Sequence, residues 1–260
     1  METHGSDARY ALCAAATFGL EAVVRDELIA LGMPVTSTAD RRVFFEGTAL
    51  DIARCNIRLR TADRVWLVVA DFSAPDFDAL YEGVRQAAWR ELLPGNAAVT
   101  VTAKSYRSRL AAVPSIQSIS KKAIVDALLG ASGHHAAGRA EETGPRSTVE
   151  VFLQNDQASV SLDTSGYGLH KRGYRTESGA APLRENLAAA LVLLSRWDSS
   201  RPFADPLCGS GTIAIEAALI ARGAAPGIRR TFAAERWPTL PARIWRARCE
   251  IARPRWGSGS

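Results

Sequence analysis

The segment Asp205-Pro206-Leu207-Cys208-Gly209-Ser210-Gly211-Thr212 constrains the fold of this chain more than any other. It follows a short apolar run, Pro202-Phe203-Ala204, and leads into an apolar stretch that starts at Ile213. The order strand, acid, tight glycine turn and helix is the first unit of an open α/β sheet whose ligand lies beyond the strand end. Glycines at that turn permit sharp backbone angles and let a ligand approach the main chain. The segment is not a P-loop, because no Gly-Lys-Ser/Thr follows. It also departs from the full dinucleotide pattern, since Ala214 stands at the third glycine position, a packing role that alanine can fill. An acid at the strand tip suits a cationic ligand such as S-adenosylmethionine, which carries a sulfonium and an ammonium.

The 260 residues are 47% hydrophobic, enough for two domains with their own cores or one large one. Cys13, Cys55, Cys208 and Cys249 are scattered without a C-x-x-C pair, which reads as reduced thiols in a cytoplasmic protein and excludes a disulfide frame. No metal site is expected: His134 and His135 stand together in a polar, aperiodic stretch with no further ligand at suitable spacing. No apolar run reaches membrane-spanning length, and the polar N-terminus is not a secretory signal.

The net charge is +5, and of 32 basic residues only Lys104, Lys121, Lys122 and Lys171 are lysine. A coding bias accounts for the arginine excess but not for where the lysines cluster. Lys104, Arg107, Arg109, Lys121 and Lys122 occur in nineteen residues with no acid among them, interleaved with Ser, Gln and Tyr106. Cations and hydroxyls in this mixture suit phosphate contacts, and an aromatic ring suits an unpaired base. A second basic string, His170-Lys171-Arg172-Gly173-Tyr174-Arg175, stands where the two halves of the chain join. A solvated charged face has the same composition as either string.

Periodicity predicts a helix over 20–31 with Leu20, Val24, Leu28 and Leu31 on one face, closed by Gly32. Strands are expected at 42–46, 64–69 (buried on both faces) and 99–102, and helices at 49–60 and after the cap residue Asp76. The stretch 130–147 reads as a mobile loop, and 149–153 with 158–162 as a hairpin across 154–157. Trp66, Trp89 and Trp197 are expected in the core, and Cys208 as a small packing residue. A hinge at 178–182 precedes a helix from Pro182 to Trp197 with a Leu183, Leu187, Leu191, Leu194 stripe, followed by the glycine segment, a helix over 213–222 and an Arg/Pro/Trp-rich tail.

Six strings together resemble one family. They are Thr17-Phe18-Gly19-Leu20-Glu21, Leu59-Arg60-Thr61-Ala62-Asp63-Arg64-Val65, Leu162-Asp163-Thr164-Ser165-Gly166, Leu169 to Arg175, Ala181-Pro182-Leu183-Arg184-Glu185-Asn186-Leu187-Ala188 and Asp205 to Thr212. In this order they resemble the THUMP-domain RNA methyltransferases, most closely the bacterial enzymes that methylate guanine N2 in 23S ribosomal RNA. The resemblance implies an α+β ferredoxin-like/THUMP RNA-binding region followed by a partial α/β Rossmann-like class I methyltransferase domain. The expected divisions are 1–47 (ferredoxin-like part), 48–168 (THUMP) and 169–260 (start of the methyltransferase domain). It implies S-adenosylmethionine as cofactor, with Asp205, Pro206, Gly209, Ser210, Gly211 and Thr212 at its methionine end and Leu183 and Glu185 beside the pocket. RNA, ribosomal RNA first, is the implied partner, held by Lys104, Arg107, Arg109, Lys121, Lys122, Lys171, Arg172 and Arg175.

The chain departs from the family in one respect. The Asn/Asp-Pro-Pro-Tyr/Phe loop, which accepts hydrogen bonds from the target amine and stacks on the base, does not occur in the 260 residues. No catalytic residue is therefore assigned, and the expectation is a catalytically incomplete N-terminal portion of such an enzyme. One strand and two helices cannot make a covered doubly wound sheet, so exposed apolar faces are expected on Leu187, Leu191, Ile215 and Leu219. The alternatives are a stand-alone THUMP RNA-binding module without catalysis, a transfer-RNA guanine-N2 methyltransferase, or a nucleotide-binding regulatory protein.

Overall fold

The computed structural model describes residues 8–130, 142–175, 183–240, 242–246 and 248–252, with the backbone alone at 248 and 249. Its first half runs β1 (Tyr10–Ala15), α1 (Glu21–Ala30), β2 (Val35–Ala39), β3 (Arg42–Gly47), α2 (Ala49–Arg58), β4 (Arg64–Ser73), α3 (Phe77–Arg85), α4 (Trp89–Leu92) and β5 (Ala98–Tyr106). It continues α5 (Val113–Leu129), β6 (Arg146–Gln154), β7 (Gln157–Asp163), α6 (Glu185–Leu194), α7 (Thr212–Ala221), α8 (Ala242–Arg246) and α9 (Arg248–Ala252). Two compact units divide these elements: the described residues of 1–65, 167–232 and 242–260 make one, and those of 66–166 and 233–241 the other.

The first unit holds an antiparallel sheet in the order β2-β3-β1. α1 forms where periodicity places it, and Gly32 just beyond takes φ 78°, a left-handed position that costs glycine nothing. α2 starts with a reciprocal cap: the Thr48 hydroxyl accepts from the Asp51 amide, and the Asp51 carboxylate accepts from the Thr48 amide. Ile52, Ala53, Cys55 and Ile57 of α2 are buried, as are Leu12 and Cys13 of β1, Val24 and Leu28 of α1, and Val43 and Phe45 of β3. Period 2 on the strands and 3.6 on the helices turn these side chains to one core.

The described residues of 167–232 and 242–260 belong to this same unit. Gly227 donates its amide to Ile57 O at 2.9 Å, and a Cβ there would lie 2.7 Å from Asn56 O, so only glycine permits the approach to α2. The Arg60 guanidinium donates to Ala224 O at 2.6 Å. Within the tail, the Phe232 and Trp245 rings stack at 5.5 Å.

The predicted leucine stripe on α6 is corrected by the structure. The buried face is Ala188, Ala189, Ala190 and Val192, with Glu185 and Asn186, whereas Leu183, Leu191 and Leu194 are exposed. Small side chains let neighbouring backbones close in, and Asn186 uses the proximity to donate to the Asp63 carboxylate at 2.8 Å. Leu191 and Ile215 are exposed as expected, but Leu187 and Leu219 are half-buried. Pro182 and the hinge at 178–182 lie outside the described residues. The apolar run Pro202–Ala204 forms no strand, and no strand follows Asp163 among the described residues.

The second unit is a mixed sheet in the order β4-β7-β6-β5, with β5 and β6 parallel and the other pairs antiparallel. Asp76 caps α3 by accepting from the Ala79 amide. The hairpin turns through Asn155 and Asp156 at φ 50° and 60°, the double left-handed geometry of a tight two-residue turn. Val149, Val151, Leu153, Val160 and Leu162 of that hairpin are buried, as are Leu80, Val84, Ile116 and Ile124 of α3 and α5.

Several boundaries move. β4 runs on to Ser73 and is fully buried only over Val65, Trp66 and Leu67. β5 runs on past the expected 99–102 to Tyr106, so Lys104 and Tyr106 stand on the strand. β6 begins at Arg146, inside the expected loop, while His134 and His135 lie outside the described residues. Trp66 and Trp89 are buried, but Trp197 is half-buried and meets Phe203 edge to face at 5.2 Å.

Candidate functional site

The glycine segment forms a turn that feeds α7. Asp205 Oδ1 accepts from the Leu207 amide at 3.2 Å, which folds the chain back after the acid. The Gly211 amide donates to Cys208 O at 2.7 Å, and Gly211 O accepts from the Ile215 amide at 2.9 Å as α7 begins. Gly209 and Gly211 take φ 52° and 73°, and Gly211 is the residue that caps the helix start. A Cβ on either would meet nothing within 4 Å. Backbone conformation demands glycine here, and open space is left above the turn. Asp205 Oδ2 is buried and has no hydrogen-bond partner. Pro206, Gly209 and Ser210 are exposed, and Leu207 is 92% exposed. Cys208 is exposed too, which corrects its reading as a packing residue.

Three of the sequence strings converge on this turn through Arg175. Its guanidinium donates to Thr212 Oγ1 at 2.7 Å and to Leu183 O at 3.3 Å, and pairs with the Glu185 carboxylate at 3.6 Å. Thr212 Oγ1 lies 3.1 Å from Ser210 Oγ. Glu185 and Thr212 are therefore buried partners of Arg175, and Leu183 offers its carbonyl to the same clamp. One turn into α7, Glu216 is fully buried, with Tyr174 Oη donating to it at 3.1 Å and Arg172 Nε at 3.5 Å. Burial pushes the Glu216 carboxyl above the usual range, against the pull of Arg172 and Tyr174. Burial likewise raises the Tyr174 phenol, with Glu216 adding to it.

The basic candidates separate by exposure. Arg172 is only 4% exposed and donates to Leu169 O and Arg60 O, so it is spent inside the protein and does not face a polyanion. Arg175 is likewise committed to the turn. Lys171 is exposed, with its ammonium 5.3 Å from the centre of the Tyr167 ring. In the second unit, acids distant in sequence meet three of the five clustered cations: Lys104 pairs with Glu150 at 3.1 Å, Arg109 with Asp156 at 2.9 Å and Lys121 with Glu142 at 2.7 Å. Arg107 instead lies 4.9 Å from the Tyr106 ring and Lys122 5.8 Å from the Tyr81 ring.

Comparison with known proteins identifies the domains. Residues 11–66 match the RlmL ferredoxin-like domain, 74–163 the THUMP domain, and 172–256 the RMKL-like methyltransferase domain. YpsC of Bacillus subtilis (strain 168), provisionally named an RNA methyltransferase, is 50% identical over 244 residues, which cover 94% of this chain and 63% of YpsC. The chain carries a THUMP domain followed by a methyltransferase domain.

Another relative, the ribosomal RNA large subunit methyltransferase K/L of Marinobacter nauticus (strain ATCC 700491 / DSM 11845 / VT8), is 36% identical over 87% of this chain and 32% of its own length. SMU.472, provisionally named a methyltransferase and solved in complex with SAH, is 45% identical at a TM-score of 0.86 over 94% of this chain and 64% of that one. The chain thus spans less than two thirds of each of these relatives. The THUMP match runs from α3 to β7 and contains all five clustered cations. The methyltransferase match starts at Arg172 and contains the Asp205–Thr212 turn, while residues 164–171 fall in neither. No helix among the described residues is long and apolar enough to cross a membrane, and no three metal-ligating side chains cluster among them.

Arg230 and Tyr167 escaped the sequence reading. Arg230 donates to the carbonyls of Tyr167, Gly168 and Lys171, about sixty residues before it. An arginine in an Arg-rich tail carries no local signal of such a role.

Proposed function

We propose that this chain binds S-adenosylmethionine at Asp205–Thr212 and RNA through its THUMP region and Lys171, as part of an RNA methyltransferase acting on guanine N2 of large-subunit ribosomal RNA. The observation that carries the donor reading is the left-handed Gly209–Gly211 turn beside a buried carboxylate oxygen with no partner. That combination fits the donor. A buried acceptor without a hydrogen bond costs about 1–3 kcal/mol, and an ammonium satisfies it. The open space over the two glycines admits a ligand against the main chain. Asp205, Gly209, Ser210 and Gly211 would hold the donor's amino-acid end, and Leu183 would stand beside it. Thr212 and Glu185 act one step removed, through Arg175. When bound, the donor supplies an electrophilic methyl on its sulfonium. SMU.472 in complex with SAH supports this reading, and the naming of the K/L relatives supports ribosomal RNA.

The residues of this chain hold and orient. The Asn/Asp-Pro-Pro-Tyr/Phe string that would accept hydrogen bonds from the target amine does not occur in the 260 residues. The purified chain is therefore expected to bind donor and RNA without transferring a methyl group. Titration calorimetry with S-adenosylmethionine and S-adenosylhomocysteine tests the donor site. Asp205→Ala and Gly211→Val should each weaken binding at least about tenfold, the loss of one charged contact or of the left-handed turn. Unchanged affinity in both would overturn the assignment. A chain that binds RNA but no donor would favour the reading as a stand-alone RNA-binding module. Labelled methyl appearing on ribosomal RNA with this chain alone would show that the acceptor-holding groups are present after all.

A further inference from the structure

Three aromatic rings are exposed among the described residues, and each has a cation near its face. Phe18 has Arg41 at 5.8 Å from the ring centre, Tyr106 has Arg107 at 4.9 Å, and Tyr167 has Lys171 at 5.3 Å. Tyr167 is the most exposed of the three, at 71%. It lies between the THUMP and methyltransferase matches.

An exposed ring needs no explanation by itself. The backbone beneath Tyr167 sets it apart. The Arg230 guanidinium donates to Gly168 O at 2.6 Å, to Lys171 O at 3.2 Å and to Tyr167 O. The Lys171 amide donates to Gly168 O at 3.0 Å, and the Leu169 amide to Asp63 O at 2.8 Å. Leu169 is buried, and a Cβ on Gly168 would lie 2.6 Å from His170 Cε1, so the loop packs tightly on its own imidazole. Five residues are thus pinned by a buried leucine, a planar fork of donors and an internal turn, while the aromatic side chain above them stays in water. A ring presented on fixed backbone gives up little entropy when a flat ligand lands on it. Lys171 has no carboxylate partner among the described residues, unlike Lys104, Arg109 and Lys121.

We propose that Tyr167 is a stacking platform for one unpaired nucleobase of the bound RNA, with the Lys171 ammonium placed for the adjoining phosphate. The proposal rests on the RNA reading above and adds to it a residue and a class of contact. Base–aromatic stacking tolerates any base, so the site contributes affinity and orientation, while sequence is read elsewhere.

The test uses the whole chain and a single-stranded RNA oligonucleotide carrying 2-aminopurine, titrated at several salt concentrations. Tyr167→Ala is expected to weaken binding about tenfold with the salt slope unchanged and with loss of 2-aminopurine quenching. Tyr167→Phe should bind as the parent does. Lys171→Gln should lower the salt slope by about 0.7, one phosphate contact to a single strand. Because Tyr167 is exposed, thermal unfolding of Tyr167→Ala should match the parent, which separates stacking from loss of fold. Parent-like binding and quenching by Tyr167→Ala would overturn the proposal, as would equal losses in the Ala and Phe variants. If the parent chain binds no RNA at any salt, the RNA reading falls first and this proposal with it.

Discussion

At the scale of single residues, the structure turns on which charges are paired. Arg172 and Glu216 are both buried, and removing one partner of such a pair leaves the other charge uncompensated. Arg172→Met should therefore cost about 3–5 kcal/mol at neutral pH by chemical denaturation. The pH dependence has a definite sign. The folded carboxyl of Glu216 sits above its ordinary value of 4.5, chiefly from burial, so its contribution is complete below that pH and is lost as pH rises. The deficit of Arg172→Met should shrink toward acid pH, and a deficit that grows there would contradict the assignment. Asp51 runs the other way. Burial opposes its ionisation, but the Thr48 amide and hydroxyl and the Arg54 guanidinium outweigh it and hold the carboxyl below 3.8. Its contribution is present above that value and fades as pH falls through the lowered folded value. Thr48→Ala should cost about 1 kcal/mol at neutral pH, and the difference should narrow as Asp51 protonates.

At the scale of elements, packing repeatedly overrules propensity. Alanine is the better helix former by about 1 kcal/mol, so propensity alone favours Gly83→Ala in α3. A Cβ there would lie 2.3 Å from the Phe72 ring of β4, however. The substitution should destabilise by about 1–3 kcal/mol, and a rise in unfolding temperature would show that the ring moves aside freely. The same logic distinguishes the faces of α6. Ala189 is fully buried and Leu194 is 57% exposed. Ala189→Leu should cost about 1–3 kcal/mol, and Leu194→Gln should stay within about 0.5 kcal/mol. Equal effects by chemical denaturation would mean the leucine stripe is the packed face. Hydrophobicity ranks leucine above alanine at every helix position, which is why the sequence pointed to the wrong side.

At the scale of the whole molecule, the charge pattern limits how strongly salt should act on the proposed RNA binding. Lys104, Arg109 and Lys121 each face an acid, so few of the five clustered cations of the THUMP region are free to displace counterions. Lys122→Glu should weaken RNA binding and flatten its salt dependence, whereas Lys104→Gln should do less because Glu150 already offsets that charge. Equal effects would mean the Glu150 pair opens on binding. What could be read without coordinates was local. Gly32, Asp76 and the Asn155-Asp156 turn announce a helix end, a cap and a hairpin through their own backbone preferences, and Gly209 and Gly211 do the same for the turn that opens α7. Short-range chemistry of this kind depends on neighbours in the chain, so the amino-acid order alone determined it, along with the domain types and their mixture of helix and strand. Pairings between residues far apart in sequence carry no such mark. The burial of Arg172, the clamp of Arg175 on Thr212 and Glu185, the alanine face of α6 and the hold of Arg230 on the Tyr167 loop were decided only by tertiary structure, because each depends on which distant surface comes within a few ångströms.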